Sequence, residues 1–195
     1  AEHFGRVNLV FNNAGIAFTG SIEEMSFKDV EKVMDVDFWG VVNGTKAFLP
    51  HLIASGDGHV INISSVFGIF AVPTQSAYNA AKFAVRGFTE ALRQEMITER
   101  QPVKVTCVHP GGIKTNIARN ADQSEGRNHD ALSKEFDKLA RMSPDKAARV
   151  ILRAVEKGRA RVLVGWDAKA MDAFVRVTGS AYQGISARFS KSRGL

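Results

Sequence analysis

The sequence predicts an α/β fold built on a parallel sheet, and three observations point there. Four short apolar runs of strand length, VNLVF (7–11), HVINIS (59–64), VKVTCV (103–108) and ARVLVG (160–165), recur along the chain. Longer stretches with apolar residues at helical spacing separate them, which gives the order β-α-β-α-β-α-β. A helical crossover returns the chain to the same end of the sheet, so strands joined this way run parallel.

The boundaries carry their own chemistry. After VNLVF, Ser26 and Asp29 form an S-x-x-D capping signal for a helix running to Ala54, and SGDG (55–58) ends it. HVINIS then leads into a second helix that carries SAYNAAKFA (76–84). After VKVTCV comes a polar stretch, residues 119–135, without apolar periodicity, expected to be a mobile loop near a site. Ser143 and Pro144 supply an N-cap and first helical residue, and Gly158 a stop, before ARVLVG. With no internal repeat, residues 1–195 are expected to form one domain.

Composition narrows the function classes. The 195 residues are 45% apolar, enough for a core. The net charge of +6 comes from scattered basic residues and a basic tail (Arg188, Lys191, Arg193), with no aromatic stacking motif beside them, which argues against nucleic acid as a partner. Cys107 is the single cysteine and lies in a strand-like run, so no internal disulfide forms and a buried thiol in a reducing, cytoplasmic setting is expected. No apolar run approaches the roughly 20 residues of a membrane span, and the opening AEHFGRVNLVFNNAG lacks a signal-peptide pattern. His3, His51, His59, His109 and His129 show no ligand spacing; they are read as surface or strand-end residues, and no metal is expected.

The stretch SSVFGIFAVPTQSAYNAAKF (64–83) concentrates chemistry-bearing residues. Tyr78 and Lys82 are four apart on a helix, so they share a face. A phenol ordinarily titrates near pKa 10, and a neighbouring ammonium favours its phenolate, which makes the pair a proton donor and acceptor. Ser65 follows the strand HVINIS, where side chains enter the crevice at the strand carboxyl ends and a hydroxyl can hydrogen-bond a substrate oxygen. Taken alone, Y-x-x-x-K also describes a half-buried tyrosine with a surface lysine, and Ser65 a turn residue.

The set as a whole is more specific: NNAG (12–15) after the first strand, Ser65 after the second, Tyr78 and Lys82 on the next helix, and PGGIKT (110–115) after the third. Over roughly residues 5–165 the chain resembles the short-chain dehydrogenase/reductase family. The resemblance implies a Rossmann-like doubly wound parallel sheet, the strands here equivalent to 4-5-6-7 of the family. It also implies an NAD(P)-dependent oxidoreductase interconverting a secondary alcohol and a ketone. By the resemblance, Tyr78 is the catalytic acid/base, Lys82 lowers its pKa and holds the nicotinamide ribose, and Ser65 positions the substrate oxygen. Asn12, Asn13, Ala14, Gly15, Pro110, Gly111, Ile113 and Thr115, with Tyr78 and Lys82, are the implied cofactor contacts. A homodimer or homotetramer is implied as well, formed through the helix of Tyr78 and the helix over 27–54, with Trp39, Val42, Phe48, Phe83 and Phe88 as apolar groups to spare.

Two departures stand out. DVDFWG places Asp37 where the family carries an asparagine that acts largely through its backbone carbonyl. A carboxylate there lies among apolar neighbours and must pair or take a proton; Lys82 is the expected partner. The glycine-rich pyrophosphate turn is also absent, so the chain is expected to be part of a longer one, lacking the first strands: two βαβ units, on the order of 60 or more residues. The residue that selects NAD or NADP would lie there, leaving both open, and these residues alone are expected to be inactive. FGIFAVPT (67–74) and MDAFVRVTG (171–179) suggest a pocket for a small apolar substrate. Two alternatives are a non-catalytic scaffold using the same fold and a nucleotide-sugar epimerase or dehydratase; for the second, residues 166–195 are too few for the substrate domain such enzymes carry.

Overall fold

Four strands, β1 (Leu9–Asn12), β3 (Gly58–Ile63), β4 (Val103–Pro110) and β6 (Arg161–Val164), hydrogen-bond side by side in the order β1-β3-β4-β6, every pairing parallel. They come from a computed structural model that describes residues 3–124, 136, 138 and 140–192. His129, Arg193 and the part of the expected loop over 125–135 lie outside the described residues. The register aligns Asn12 with Asn62 and Asn62 with Cys107, which sets the carboxyl ends of the strands along one edge.

Both faces of this sheet are covered, which is why its strands are nearly continuous in apolar residues. Alternate side chains point to opposite faces. Val60, Val103 and Val105 join Val10, Leu52, Leu92 and Met96 in one cluster, under α2 (Gly40–Ala54) and α3 (Ser76–Thr98). Ile61 and Val108 join Val162, Val164, Ala147 and Val155 in another, under α4 (Pro144–Glu156). β1 is the outer strand of the sheet, and its Leu9 and Phe11 are 44% and 39% exposed.

The expected helix over 27–54 is present but is not one regular helix. α1 (Phe27–Met34) starts at the capping box of Ser26 and Asp29, continues into a π-helical turn (Asp35–Trp39), and resumes as α2. The Gly40 amide reaches back five residues to the Asp35 carbonyl, so the turn holds one residue more than an α-helix would. The result is that Asp37 points inward while Asp35 and Trp39 stay exposed. Ser143 caps α4 and Gly158, at φ +60°, ends it, as the sequence indicates.

One expectation needs correction. The polar stretch from 119 is not all loop: β5 (Asp122–Gln123) pairs in parallel with β2 (Phe18–Thr19). Two-residue strands leave no periodicity to read. His59 and His109 lie at strand ends, as read from the sequence, and both are buried. His59 Nε2 lies 2.8 Å from Thr106 Oγ1, and His109 Nδ1 lies 2.9 Å from the Ser65 carbonyl oxygen. MDAFVRVTG falls within and just beyond α5 (Trp166–Thr178), where Met171 and Val177 are exposed and Ala168 is buried. α6 (Tyr182–Ser192) follows. Cys107 is buried as expected, and burial pushes its thiol up to about 12.

A polar chain threads the sheet. Asn12 Nδ2 donates to Thr45 Oγ1 (3.1 Å) and Asn62 Oδ1 (2.8 Å), while Asn62 Nδ2 donates to Thr89 Oγ1 (3.0 Å), which itself donates to the Val85 carbonyl (2.6 Å). Asn62→Ala leaves part of this chain unsatisfied in the interior and is expected to lower unfolding free energy by about 2 kcal/mol. A urea titration showing no loss would contradict a structural role for the chain.

Burial also holds His59 and His109 down at about 4 in the folded protein, against 6.5 when unfolded. Between those values the unfolded chain binds more protons. The stability they confer is therefore complete above pH 6.5 and is lost as pH falls toward 4, on the order of 3 kcal/mol per histidine. His109→Gln should flatten that loss. Urea midpoints of parent and variant, followed from pH 7 to 4, are expected to converge on acidification, and parallel curves would refute the assignment.

Candidate active site

The candidate residues gather where the parallel strands end, the crevice that open α/β sheets present to ligands. β1 runs into Asn12–Gly15, β3 into Ser64 and Ser65 followed by a 3₁₀ turn (Val66–Gly68), and β4 into Pro110–Thr115. Tyr78 and Lys82 face them from the first turns of α3.

Lys82 is the hub. Its Nζ lies 3.0 Å from Asp37 Oδ2, with the two side chains 3% and 0% exposed, and it donates to the Ile63 carbonyl at 3.3 Å. Asp37 Oδ1 accepts from the Ile16 amide at 2.8 Å. Burial pushes the Asp37 carboxyl above the usual carboxylate range, and the Lys82 ammonium and Ile16 amide oppose that push. Gly15 closes over the pair: a Cβ at this position would come within 3.2 Å of Lys82 Nζ. A side chain there would crowd the ammonium, so the last residue of NNAG must be small.

Tyr78 is buried in an apolar shell that includes Phe18, Met25, Val33, Ala77 and Ala81. Phe67 meets its ring edge-on at 6.2 Å between centroids, and Lys82 Nζ stands 5.5 Å from the ring centre. Among the described residues no hydrogen bond engages the Tyr78 hydroxyl. Ser65 caps the 3₁₀ turn, its Oγ accepting from the Phe67 amide at 3.1 Å, which leaves the hydroxyl proton available to another acceptor.

The structure thus brings Tyr78, Lys82, Asp37 and Gly15 together, with Ser65 two residues from the phenylalanine that packs on Tyr78. It separates others. The Asn12 amide is consumed by the interior chain to Thr45 and Asn62, whereas Asn13 and Ala14 are exposed. Ile113 is buried in the cluster under α4, so only its backbone is available. Pro110 and Gly111 are half-buried beside α5, and the Gly111 amide donates to the Val164 carbonyl at 2.9 Å. Thr115 is exposed and lines a shallow cleft of about 240 Å³ with Lys114, Asn116 and Arg119.

Several positioning residues escaped the sequence analysis. Ser64 Oγ donates to the Lys82 carbonyl (2.8 Å) and pins α3 to the end of β3. His109 holds the Ser65 carbonyl, and Asp167 Oδ2 accepts from the Gly112 amide at 2.6 Å. Gly165, at φ +108°, makes the bend that brings Asp167 there. The Tyr182 hydroxyl accepts from the Ala71 amide at 3.1 Å. Only Asp167 had a signal, an acid in the first turn after a glycine; the other contacts join residues far apart in sequence.

Known proteins match this arrangement. Residues 1–126 match the short chain dehydrogenase family. The chain is 63% identical over 186 residues to the protein named "Putative oxidoreductase SadH" of Mycobacterium tuberculosis, covering 95% of this chain and 67% of that protein. It is 35% identical over 193 residues to "Dehydrogenase/reductase SDR family member 7B" of Xenopus tropicalis, covering 98% of this chain and 61% of that one. The chain therefore spans about two thirds, or less, of these relatives' length. Among solved structures, a short chain dehydrogenase/reductase from Burkholderia phymatum in complex with NAD superposes with a TM-score of 0.83 at 25% identity, covering 93% of this chain and 69% of that one. A short chain dehydrogenase from Burkholderia cenocepacia in complex with NADP gives 0.73 at 26% identity, covering 90% and 69%. With the parallel α/β sheet, the motifs at its strand ends and these relatives in agreement, the chain belongs to the short-chain dehydrogenase/reductase family of oxidoreductases.

Proposed function

We propose that the protein, in its full chain, is an NAD- or NADP-dependent oxidoreductase that interconverts a secondary alcohol and a ketone, with residues 1–195 belonging to one Rossmann-like domain in the cytoplasm. One observation carries this: a phenol whose hydroxyl no described residue engages lies beside a buried ammonium in an apolar shell. A structural tyrosine would not need a buried cation next to it, and this disfavours a non-catalytic scaffold.

The residues present fit a nicotinamide cofactor. Lys82 has three N–H donors, of which one goes to the Ile63 carbonyl while Asp37 supplies a counter-charge at 3.0 Å, so a donor remains for a ribose hydroxyl. In that cleft Lys114, Thr115 and Asn116 offer a cation, a hydroxyl and an amide, a donor set suited to phosphate oxygens. Structural neighbours carrying NAD and NADP support the same assignment. When bound, the nicotinamide supplies or accepts the hydride. The chain's own residues manage the proton: Ser65 Oγ donates to the substrate oxygen, and Tyr78 Oη gives that oxygen a proton in reduction or takes one in oxidation. The Lys82 ammonium favours the phenolate form that receives it. The apolar shell around Tyr78 excludes water and suits a small apolar substrate.

The same proposal includes a homodimer or homotetramer. Trp39 on the π-helical turn, Phe48 on α2 and Phe83 on α3 are 50%, 41% and 39% exposed. Val42 is buried and Phe88 packs on Phe38, so these two serve the chain's own interior instead. Among the described residues no helix is long and apolar enough to cross a membrane.

Tyr78→Phe removes only the hydroxyl and is expected to lower kcat by about 10² to 10⁴ while circular dichroism and melting temperature stay near the parent's. A variant that keeps most of its turnover on secondary alcohols would overturn the assignment. Light scattering of the full chain at micromolar concentration is expected to give a dimer or tetramer, and Phe48→Glu to weaken it; a strictly monomeric parent would count against the shared interface.

A further inference from the structure

We propose that Asp37 is a positioning residue of this site: its carboxylate clamps the Lys82 ammonium and balances its charge, so Tyr78 faces an ion pair rather than a lone cation. The inference rests on the acid/base role proposed for Tyr78.

Geometry supports it from three sides. Lys82 Nζ is 3.0 Å from Asp37 Oδ2 and 5.5 Å from the Tyr78 ring centre, so the carboxylate and the phenol share one ammonium. Both charged side chains are buried, where water screens little and a nearby charge of opposite sign counts strongly. Asp37 is itself held in place, by the Ile16 amide at 2.8 Å and by the π-helical turn that aims it inward.

Among the described residues, several charges on the elements next to Tyr78 are engaged or face solvent elsewhere. On α1, Asp29 is held by Ser26 and Lys32 by Asp122, both at the surface, and Lys28 and Glu31 are exposed. On α3, Arg86 pairs with Glu90 one turn beyond Lys82. From β4, His109 faces the Ser65 carbonyl, and burial keeps it neutral down to about pH 4. Beside the apolar groups packed with Tyr78, the Lys82–Asp37 pair stands next to the phenol.

A lone ammonium favours phenolate more than a balanced pair does. Asp37→Asn is isosteric and keeps Oδ1 as acceptor for the Ile16 amide, so it removes the charge without emptying the position. This sequence carries two tyrosines, Tyr78 and Tyr182. In the full chain, the difference in phenolate absorbance between protein carrying Tyr78 and protein carrying Tyr78→Phe reports on Tyr78. Asp37→Asn is expected to move the midpoint of that titration to lower pH, with a gain in phenolate at a fixed pH below it. The acid limb of alcohol oxidation by the full chain should move the same way. Lys82→Met, as control, should move the midpoint up. If Lys82→Met moves it and Asp37→Asn leaves it unchanged or raises it, the role of Asp37 is overturned while that of Lys82 stands. If Lys82→Met moves nothing, Lys82 does not act on Tyr78, and both the proposal and the acid/base pairing beneath it fall.

Discussion

A buried lysine is the constraint around which the rest of the site is arranged. An ammonium taken out of water requires a counter-charge and hydrogen-bond acceptors, and losing the partner of such a buried pair typically costs 3–5 kcal/mol. Lys82 finds its counter-charge in Asp37 on the π-helical turn and an acceptor in the Ile63 carbonyl at the end of β3. Asp37 in turn takes the Ile16 amide, which draws the turn after β1 inward, and Gly15 has no side chain to prevent that approach. One charge thereby ties together α3, the α1–α2 junction and the ends of β1 and β3.

Polar contacts do for the strand ends what apolar packing does for their middles. Hydrophobic clusters on the two faces hold the layers together but discriminate poorly between neighbouring registers that keep the same faces. Directional bonds do discriminate. Asn12 meets Asn62 across β1 and β3, Asn62 meets Thr89 on α3, and Ser64 bonds the Lys82 carbonyl. His109 holds the Ser65 carbonyl, and with it the turn that presents the Ser65 hydroxyl. Because these groups are buried, each left unpaired would destabilise its neighbours, so the network acts as a unit.

The C-terminal helices complete the loops beyond the sheet. Asp167 at the start of α5 receives the Gly112 amide of the loop after β4, and Tyr182 at the start of α6 receives the Ala71 amide of the loop after β3. The Tyr182 ring also meets Phe70 edge-on at 6.3 Å. Loops whose backbone amides would otherwise need water are tethered by side chains arriving from more than 50 residues later in the chain.

The sequence by itself determined the parallel α/β plan, the cap at Ser26, the cap at Ser143 and the face shared by Tyr78 and Lys82. These are local properties: strand runs, helical spacing and terminal hydrogen bonds act over a few residues and leave their mark in residue order. It also required that a carboxyl at Asp37 pair or take a proton, since a lone charge among apolar neighbours is very costly. Tertiary structure decided the rest. The two-residue β2–β5 pairing, the burial of His59 and His109, and the tethers from Asp167 and Tyr182 involve residues distant along the chain, and so do the Ile16 and Lys82 contacts of Asp37 on the π-helical turn. Their energies appear only when packing has removed water from both partners, so no pattern within either segment announces them.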